Sequence, residues 1–274
     1  MMVDCGEGSQ YAFQRHHLKF SRLNHIFLTH LHGDHVLGLP GLISSLGLGG
    51  AGGNITIHTF EEGKKILSSV FNFFAGELPF DLKFNVIKQE EAVIFETSSL
   101  RVRTIPLNHR VPAVGFIFEE KPKLRHIRRD MIDYHKIPFS AINHIKAGED
   151  YIKPDGTIVP NKFLTSDPSP ILSYAHISDT AYMPEIADKI GPVTLLFHET
   201  TYLDQHLADA KNRFHSTAKQ AALIARDSGS KALLTGHYSS RYKCDDDFLK
   251  EALEIFPNVI LNKEGLVTDL EKIL

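Results

Sequence analysis

Short apolar runs bounded by polar residues recur along the chain, and several of them close on histidine, aspartate or glutamate. Asn24-His25-Ile26-Phe27-Leu28 is the first, and residues 55–58, 84–86, 92–95, 100–107, 114–118, 173–177, 193–197 and 232–236 repeat the pattern. Their length and their β-branched and aromatic content predict strands. Between them lie helical stretches. Residues 37–48 are apolar with glycines and predict a helix, followed by a flexible glycine-rich loop over 47–53. In 61–74, Ile66, Leu67, Val70, Phe71 and Phe74 recur at helical spacing and are expected to pack in the core. His215-Ser216-Thr217 opens a further helix containing Ala221, Ala222, Ile224 and Ala225, with Ser216 a candidate N-cap. Strands alternating with helices predict an α/β sandwich of two sheets flanked by helices, with the polar clusters along one rim.

The densest cluster follows the first run. Thr29-His30-Leu31-His32-Gly33-Asp34-His35 places four metal-competent side chains within six residues. Imidazole and carboxylate suit a divalent ion, and a tight turn at Gly33 lets His30 and His32 face one ion while Asp34 and His35 face another. The stretch therefore reads as half of a two-metal site, against the plain alternative of a polar turn with solvated histidines. Asp4, in Asp4-Cys5-Gly6-Glu7-Gly8, fits either a turn before glycine or an outer carboxylate that orients a ligand.

The same seven residues match the signature of the metallo-β-lactamase superfamily, and specifically resemble its ribonuclease Z branch. The resemblance spans nearly the whole chain. It implies an αββα sandwich of two mixed sheets, with residues 1–274 forming a single domain. Pro106-Leu107-Asn108-His109, Ser178-Asp179-Thr180 and Gly236-His237 match the family's other ligand motifs, although Ser178 stands where similar proteins have glycine. By this resemblance His30, His32, His109 and Asp179 hold one zinc ion, and Asp34, His35, Asp179 and His237 a second, with manganese or iron as other candidates. A bridging Asp179 would set the ions about 3.5–4 Å apart, the spacing that clamps a phosphodiester. His198-Glu199-Thr200-Thr201 and His215-Ser216-Thr217 resemble the catalytic motifs. Asp34 is the implied proton acceptor, and a Glu199-to-His215 hydrogen bond would orient His215 to assist the leaving oxygen. The implied reaction is cleavage of the 3′ trailer from precursor tRNA after the discriminator base, leaving a 3′-hydroxyl, by a homodimer. The nearest alternative is a metal-dependent phosphodiesterase or lactonase of the same fold acting on small substrates. In similar proteins an N-terminal hairpin precedes the Asp-Cys-Gly stretch, and this chain shows no counterpart, so the start reads as missing that hairpin.

Composition narrows the setting. In 274 residues of 42% hydrophobic content there is enough to bury a sizeable core. The formal charge of −3 excludes a uniformly basic nucleic-acid surface, so RNA binding needs a local patch. Lys121, Lys123, Arg125, Arg128 and Arg129 crowd nine residues at the start of 121–164, where the strand rhythm breaks, and this stretch resembles the family's inserted RNA-gripping arm. Two cysteines offer no disulfide framework, and no apolar run is long enough to span a bilayer. A cytoplasmic protein without membrane attachment is the expectation.

Overall fold

Parallel strands buried on both faces need helices over them, and the first sheet meets that need with its own sequence neighbours. In the computed structural model, which describes residues 1–49, 53–74 and 78–274, strands β1 (Met2–Val3), β2 (His25–Phe27), β3 (Asn54–Thr59) and β4 (Asp81–Val86) lie in the order β1-β2-β3-β4. All three pairings are parallel, with Met2 opposite Ile26, Ile26 opposite Ile57, and Ile57 opposite Phe84. The helices Leu39–Leu48 and Glu61–Phe74 supply Leu42, Ile43, Leu46, Leu67 and Phe71 to a core with Ile26, Leu28, Ile55 and Ile57.

Helix Glu61–Phe74 buries a narrower stripe than its periodicity predicts. Gly63, Leu67 and Phe71, four residues apart, face inward, whereas Ile66 and Phe74 are 62% and 71% exposed. Ile66 is turned about 100° from the middle of that stripe, and Phe74 is the final helical residue, where support ends. The expected glycine-rich loop begins later than predicted, because the preceding helix continues through Leu48 with Gly49 at its C-cap; residues 50–52 lie outside the described ones.

The second sheet begins with β5 (Ala92–Glu96), β6 (Leu100–Leu107) and β7 (Ala113–Glu120). The chain then enters a separate compact unit, made of Glu96–Arg101 and Glu119–Leu172, which contains the segment 121–164. There β8 (His126–Ile127) pairs antiparallel with β11 (Thr165–Ser166), and β9 (Tyr151–Ile152) with β10 (Ile158–Val159) across a turn at Lys153-Pro154-Asp155-Gly156. Ile137, Ile145, Tyr151, Val159 and Leu164 form this unit's own small core.

Back in the main unit, β12 (Ser173–Ile177), β13 (Leu195–Glu199), β14 (Ala232–Gly236) and β15 (Val259–Leu261) complete a seven-stranded sheet ordered β15-β14-β13-β12-β7-β6-β5. The last four pair in parallel. Helix Ala218–Asp227 covers them with Ala221, Ala222, Ile224 and Ala225, whose small side chains allow close approach. Its N-cap is Thr217, which forms a capping box with Gln220. Ser216 is instead buried one residue earlier, donating its hydroxyl to the Thr180 carbonyl at 2.8 Å. Phe27 of β2 meets Phe116 and Phe118 of β7 edge-on, which locks the two sheets of this unit face to face. Among the described residues no helix is long and apolar enough to cross a membrane.

Candidate metal centre

Five strands of the main unit release their chemistry just past their C-terminal ends: β2 before His30, β6 before His109, β12 before Asp179, β13 at Glu199 and β14 before His237. These ends come from both sheets and meet on one rim, so residues far apart in sequence converge there. The loop carrying Asp34 and His35 is clamped by the stretch after β1. Cys5 N–H donates to the His35 carbonyl at 2.8 Å, and Gly38 N–H donates to the Cys5 carbonyl at 2.9 Å. The backbones approach so closely that a Cβ on Gly6 would lie 2.2 Å from the Asp34 carbonyl oxygen, and one on Gly38 would lie 1.9 Å from that of Gly6. Only glycine fits at these two positions.

Three overlapping groups able to hold a cation result: His30, His32, His109 and Asp179; Asp34, His35 and His237; and Asp179, His215 and His237. The first two match the expected pair of ion sites, and the third shares Asp179 and His237 with them. In the first, His32 Nδ1 lies 3.0 Å from His30 Nε2 and 3.2 Å from His109 Nε2, and Asp179 Oδ2 is 3.7 Å from both of those Nε2 atoms. In the second, Asp179 Oδ1 is 3.6 Å from His35 Nε2 and 3.3 Å from His237 Nε2, while Asp34 Oδ2 is 3.5 and 3.8 Å from the same atoms. Asp179 thus turns one oxygen to each cluster. Ligands about 2.0–2.1 Å from a tetrahedral zinc stand roughly 3.3 Å from one another, so the spacing fits.

Tautomers support the same reading. His30 Nδ1 contacts Thr29 Oγ1 at 3.1 Å, His35 Nδ1–H donates to Asp4 Oδ2 at 2.8 Å, and His109 Nδ1–H donates to the Phe214 carbonyl at 3.0 Å. His237 Nδ1 contacts Thr201 Oγ1 at 2.9 Å. Each ring is thereby oriented with its Nε2 facing the site. His35 Nε2 is buried with no hydrogen-bond partner, an orphan that a cation would satisfy. Burial, reinforced by His35, His109 and His32, lowers the His30 pKa to about 2, keeping it neutral. Burial alone would lower His237 too, yet Asp34, Asp179 and Glu199 outweigh it and raise its pKa to about 9. The same surplus of negative charge favours a cation. Asp34 is held well below the usual carboxylate range, chiefly by His237 and further by the charge of His35.

Glu199 is wholly buried and accepts five hydrogen bonds: from Thr180 N–H, Ser216 N–H and His215 Nδ1–H at Oε1, and from the amide and hydroxyl of Thr201 at Oε2. Burial pushes its pKa up, but these bonds and the nearby imidazoles bring it below the usual value. The His215 bond is 3.0 Å long, as the carboxylate-to-imidazole reading requires. A mouth of about 450 Å³ opens onto this constellation, lined by His32, Asp34, Arg110, Arg213, His215 and His237 among others.

Sequence reading placed His30, His32, Asp34, His35, His109, Asp179, Glu199, His215 and His237, and the fold brings all of them together. Sequence reading included Thr201 in a catalytic motif but gave it no role, and Thr201 contacts Glu199, His215 and His237 at once. It missed the Phe214 carbonyl, for which no side-chain signal exists. The basic run is largely neutralised within its own unit. Lys121 pairs with Glu96 at 2.9 Å, Lys123 with Glu120 at 2.7 Å, Arg125 with Asp167 at 2.9 Å and Arg128 with Asp130 at 2.7 Å. Arg129 has no ion pair among the described residues.

Two sheets in face contact, flanked by helices, with a bridged His/Asp pair of cation sites at the strand ends, define a hydrolase of the metallo-β-lactamase fold. Human short-form tRNase Z shares that fold with a TM-score of 0.67 at 22% identity, covering 98% of this chain and 87% of its own. Ribonuclease Z of Bacteroides fragilis is 46% identical over 270 residues, covering 98% of this chain and 89% of its own length. That of Phocaeicola vulgatus is 46% identical over 273 residues, covering 99% and 88%. The chain belongs to the ribonuclease Z family. The family described as anti-Pycsar protein Apyc1 also matches residues 1–124, the part that carries β1 to β7, the His30–His35 loop and His109.

Proposed function

We propose that this protein is a metal-dependent endoribonuclease that removes the 3′ trailer of precursor tRNA, cutting after the discriminator base and leaving a 3′-hydroxyl. The observation that carries this reading is the bridged pair of cation clusters beside a Glu199-anchored His215, in a chain of the ribonuclease Z family. His30, His32, His109 and Asp179 would hold one ion, and Asp34, His35, Asp179 and His237 the other. Zinc is the ion of choice for these donors, and manganese and iron accept the same set. When bound, the pair supplies neutralisation of the scissile phosphate and a lowered pKa for the attacking water.

The chain's own groups move the protons. Asp34, at the mouth of the site, takes the proton of the water that adds to phosphorus. His215, held at Nδ1 by Glu199, gives the proton at Nε2 to the ribose 3′ oxygen as the P–O bond breaks. Lys121, Lys123, Arg125, Arg128 and Arg129 grip tRNA phosphates. Solvent-accessible ion pairs such as those of the first four are worth about 0–1 kcal/mol and exchange readily for phosphate. The protein works as a homodimer in the cytoplasm.

Replacing Asp34 tests the assignment. Asp34→Ala is expected to abolish hydrolysis and weaken metal binding while circular dichroism stays native, since the Asp34 side chain is 68% exposed and outside the core. A variant that keeps both metals and at least half the activity would overturn the roles given to it.

A further inference from the structure

Next to the metal-lined mouth lies a second cavity of about 660 Å³, lined by Asn108, Tyr182, Lys211, Phe214, His215 and Gln220 among others. The two openings share His215. The volume falls in the range that admits a small organic group. The lining combines two aromatic rings with an ammonium and side-chain amides, and it includes no carboxylate among the described residues. That chemistry repels cations and suits a flat ring with polar edges attached to a phosphate.

Phe214 ties this cavity to the reaction. Its backbone is left-handed, with φ of 59°, an uncommon state for a bulky side chain. The conformation ends helix Leu207–Arg213 and turns the Phe214 carbonyl onto His109 Nδ1 at 3.0 Å. The ring is left partly exposed on the cavity wall, directly before His215 in the chain. Backbone strain of this kind persists where the surroundings over-determine it, commonly at functional sites.

We propose that this cavity is a nucleobase subsite for the nucleotide whose 3′ oxygen leaves, with Phe214 as stacking platform and Lys211 beside the phosphate. The proposal rests on the ribonuclease reading: His215 protonates the leaving oxygen, so the base of that nucleotide belongs on His215's side, where the cavity opens. Aromatic stacking tolerates every base, which matches a substrate class whose member at this position varies.

The test uses the metal-loaded protein and two RNAs, a precursor tRNA and the same RNA made abasic at the nucleotide 5′ to the cut. Wild type is expected to cleave the abasic RNA about ten-fold more slowly, the scale of one missing base stack. Phe214→Ala should show that loss on the intact RNA and little further loss on the abasic one, and Phe214→Tyr should retain the wild-type difference. Lys211→Met, at an exposed position, should raise KM on intact RNA more than it lowers kcat. Equal wild-type rates on both RNAs, or a Phe214→Ala loss of the same factor on both, would overturn the subsite while leaving the ribonuclease reading intact. If wild type cleaves neither RNA, that reading fails and the subsite with it.

Discussion

The hydrogen bond between Asp4 and His35 allows a substitution that leaves shape almost unchanged and moves a proton on the His35 ring. Asp4 Oδ1 accepts the Thr29 N–H at 2.8 Å, and Oδ2 accepts both the Thr29 hydroxyl and His35 Nδ1–H, each at 2.8 Å. In Asp4→Asn one oxygen still serves the Thr29 amide, and the NH₂ takes the place of Oδ2. That group can only donate, so the Thr29 hydroxyl must turn its own hydrogen away and accept, and His35 Nδ1 must give up its hydrogen so that the ring carries it on Nε2. Nε2 is the atom aimed at Asp34 and Asp179, 3.5 and 3.6 Å away, and protonating it removes the lone pair meant for the cation. The left-handed backbone at Asp4, φ 54°, is no obstacle, because asparagine tolerates it as well as aspartate does. Loss of an outer partner typically weakens metal binding by about 10–100-fold, or roughly 1.4–2.7 kcal/mol. Only the site containing His35 should weaken. Calorimetric titration of metal-free protein would resolve the two affinities, with thermal unfolding of the metal-free form as the control for folding. Two unchanged affinities would refute the tautomer argument, and an equal loss at both sites would show that Asp4 supports the loop as a whole.

Two further outcomes follow from the same geometry. Glu199→Gln and His215→Ala should each slow cleavage by about 10²-fold or more, and the double variant should lose little beyond either, because the two act as one unit. Losses that multiply in single-turnover measurements would remove the proposed coupling. Changing Arg125, Arg128 and Arg129 to Ala should weaken precursor tRNA binding and flatten its log–log salt dependence by about 0.7–0.9 for each phosphate that is no longer neutralised. The loss on tRNA should far exceed any loss on a small chromogenic phosphodiester; equal losses would place these residues in support of the fold.

Local features were legible in the sequence because their causes are local. The apolar run ending in His30-Leu31-His32-Gly33-Asp34-His35 carries both its strand and its ligands in one stretch. His109, Asp179 and His237 were legible only through family resemblance, since their convergence on one rim is set by strand order in a seven-stranded sheet. Helix Glu61–Phe74 was placed correctly, but its buried face was drawn too wide, because periodicity does not say how much of a stripe the neighbouring sheet covers. The N-cap shifted from Ser216 to Thr217 because two adjacent hydroxyl residues compete for it, and a buried carbonyl at Thr180 claims the first. The basic run was visible, whereas its pairing with Glu96 and Asp167 required the fold.

Cleavage of a precursor tRNA decides whether the proposed reaction is the right one. With metal-loaded protein and a 5′-labelled precursor carrying a 3′ trailer, the expected result is one cut on the 3′ side of the discriminator base, a tRNA ending in a 3′-hydroxyl, loss of activity with a chelator, and its return with added zinc. Metal-loaded protein that hydrolyses a small phosphodiester but leaves the precursor tRNA intact, or cuts it elsewhere, would contradict that reaction.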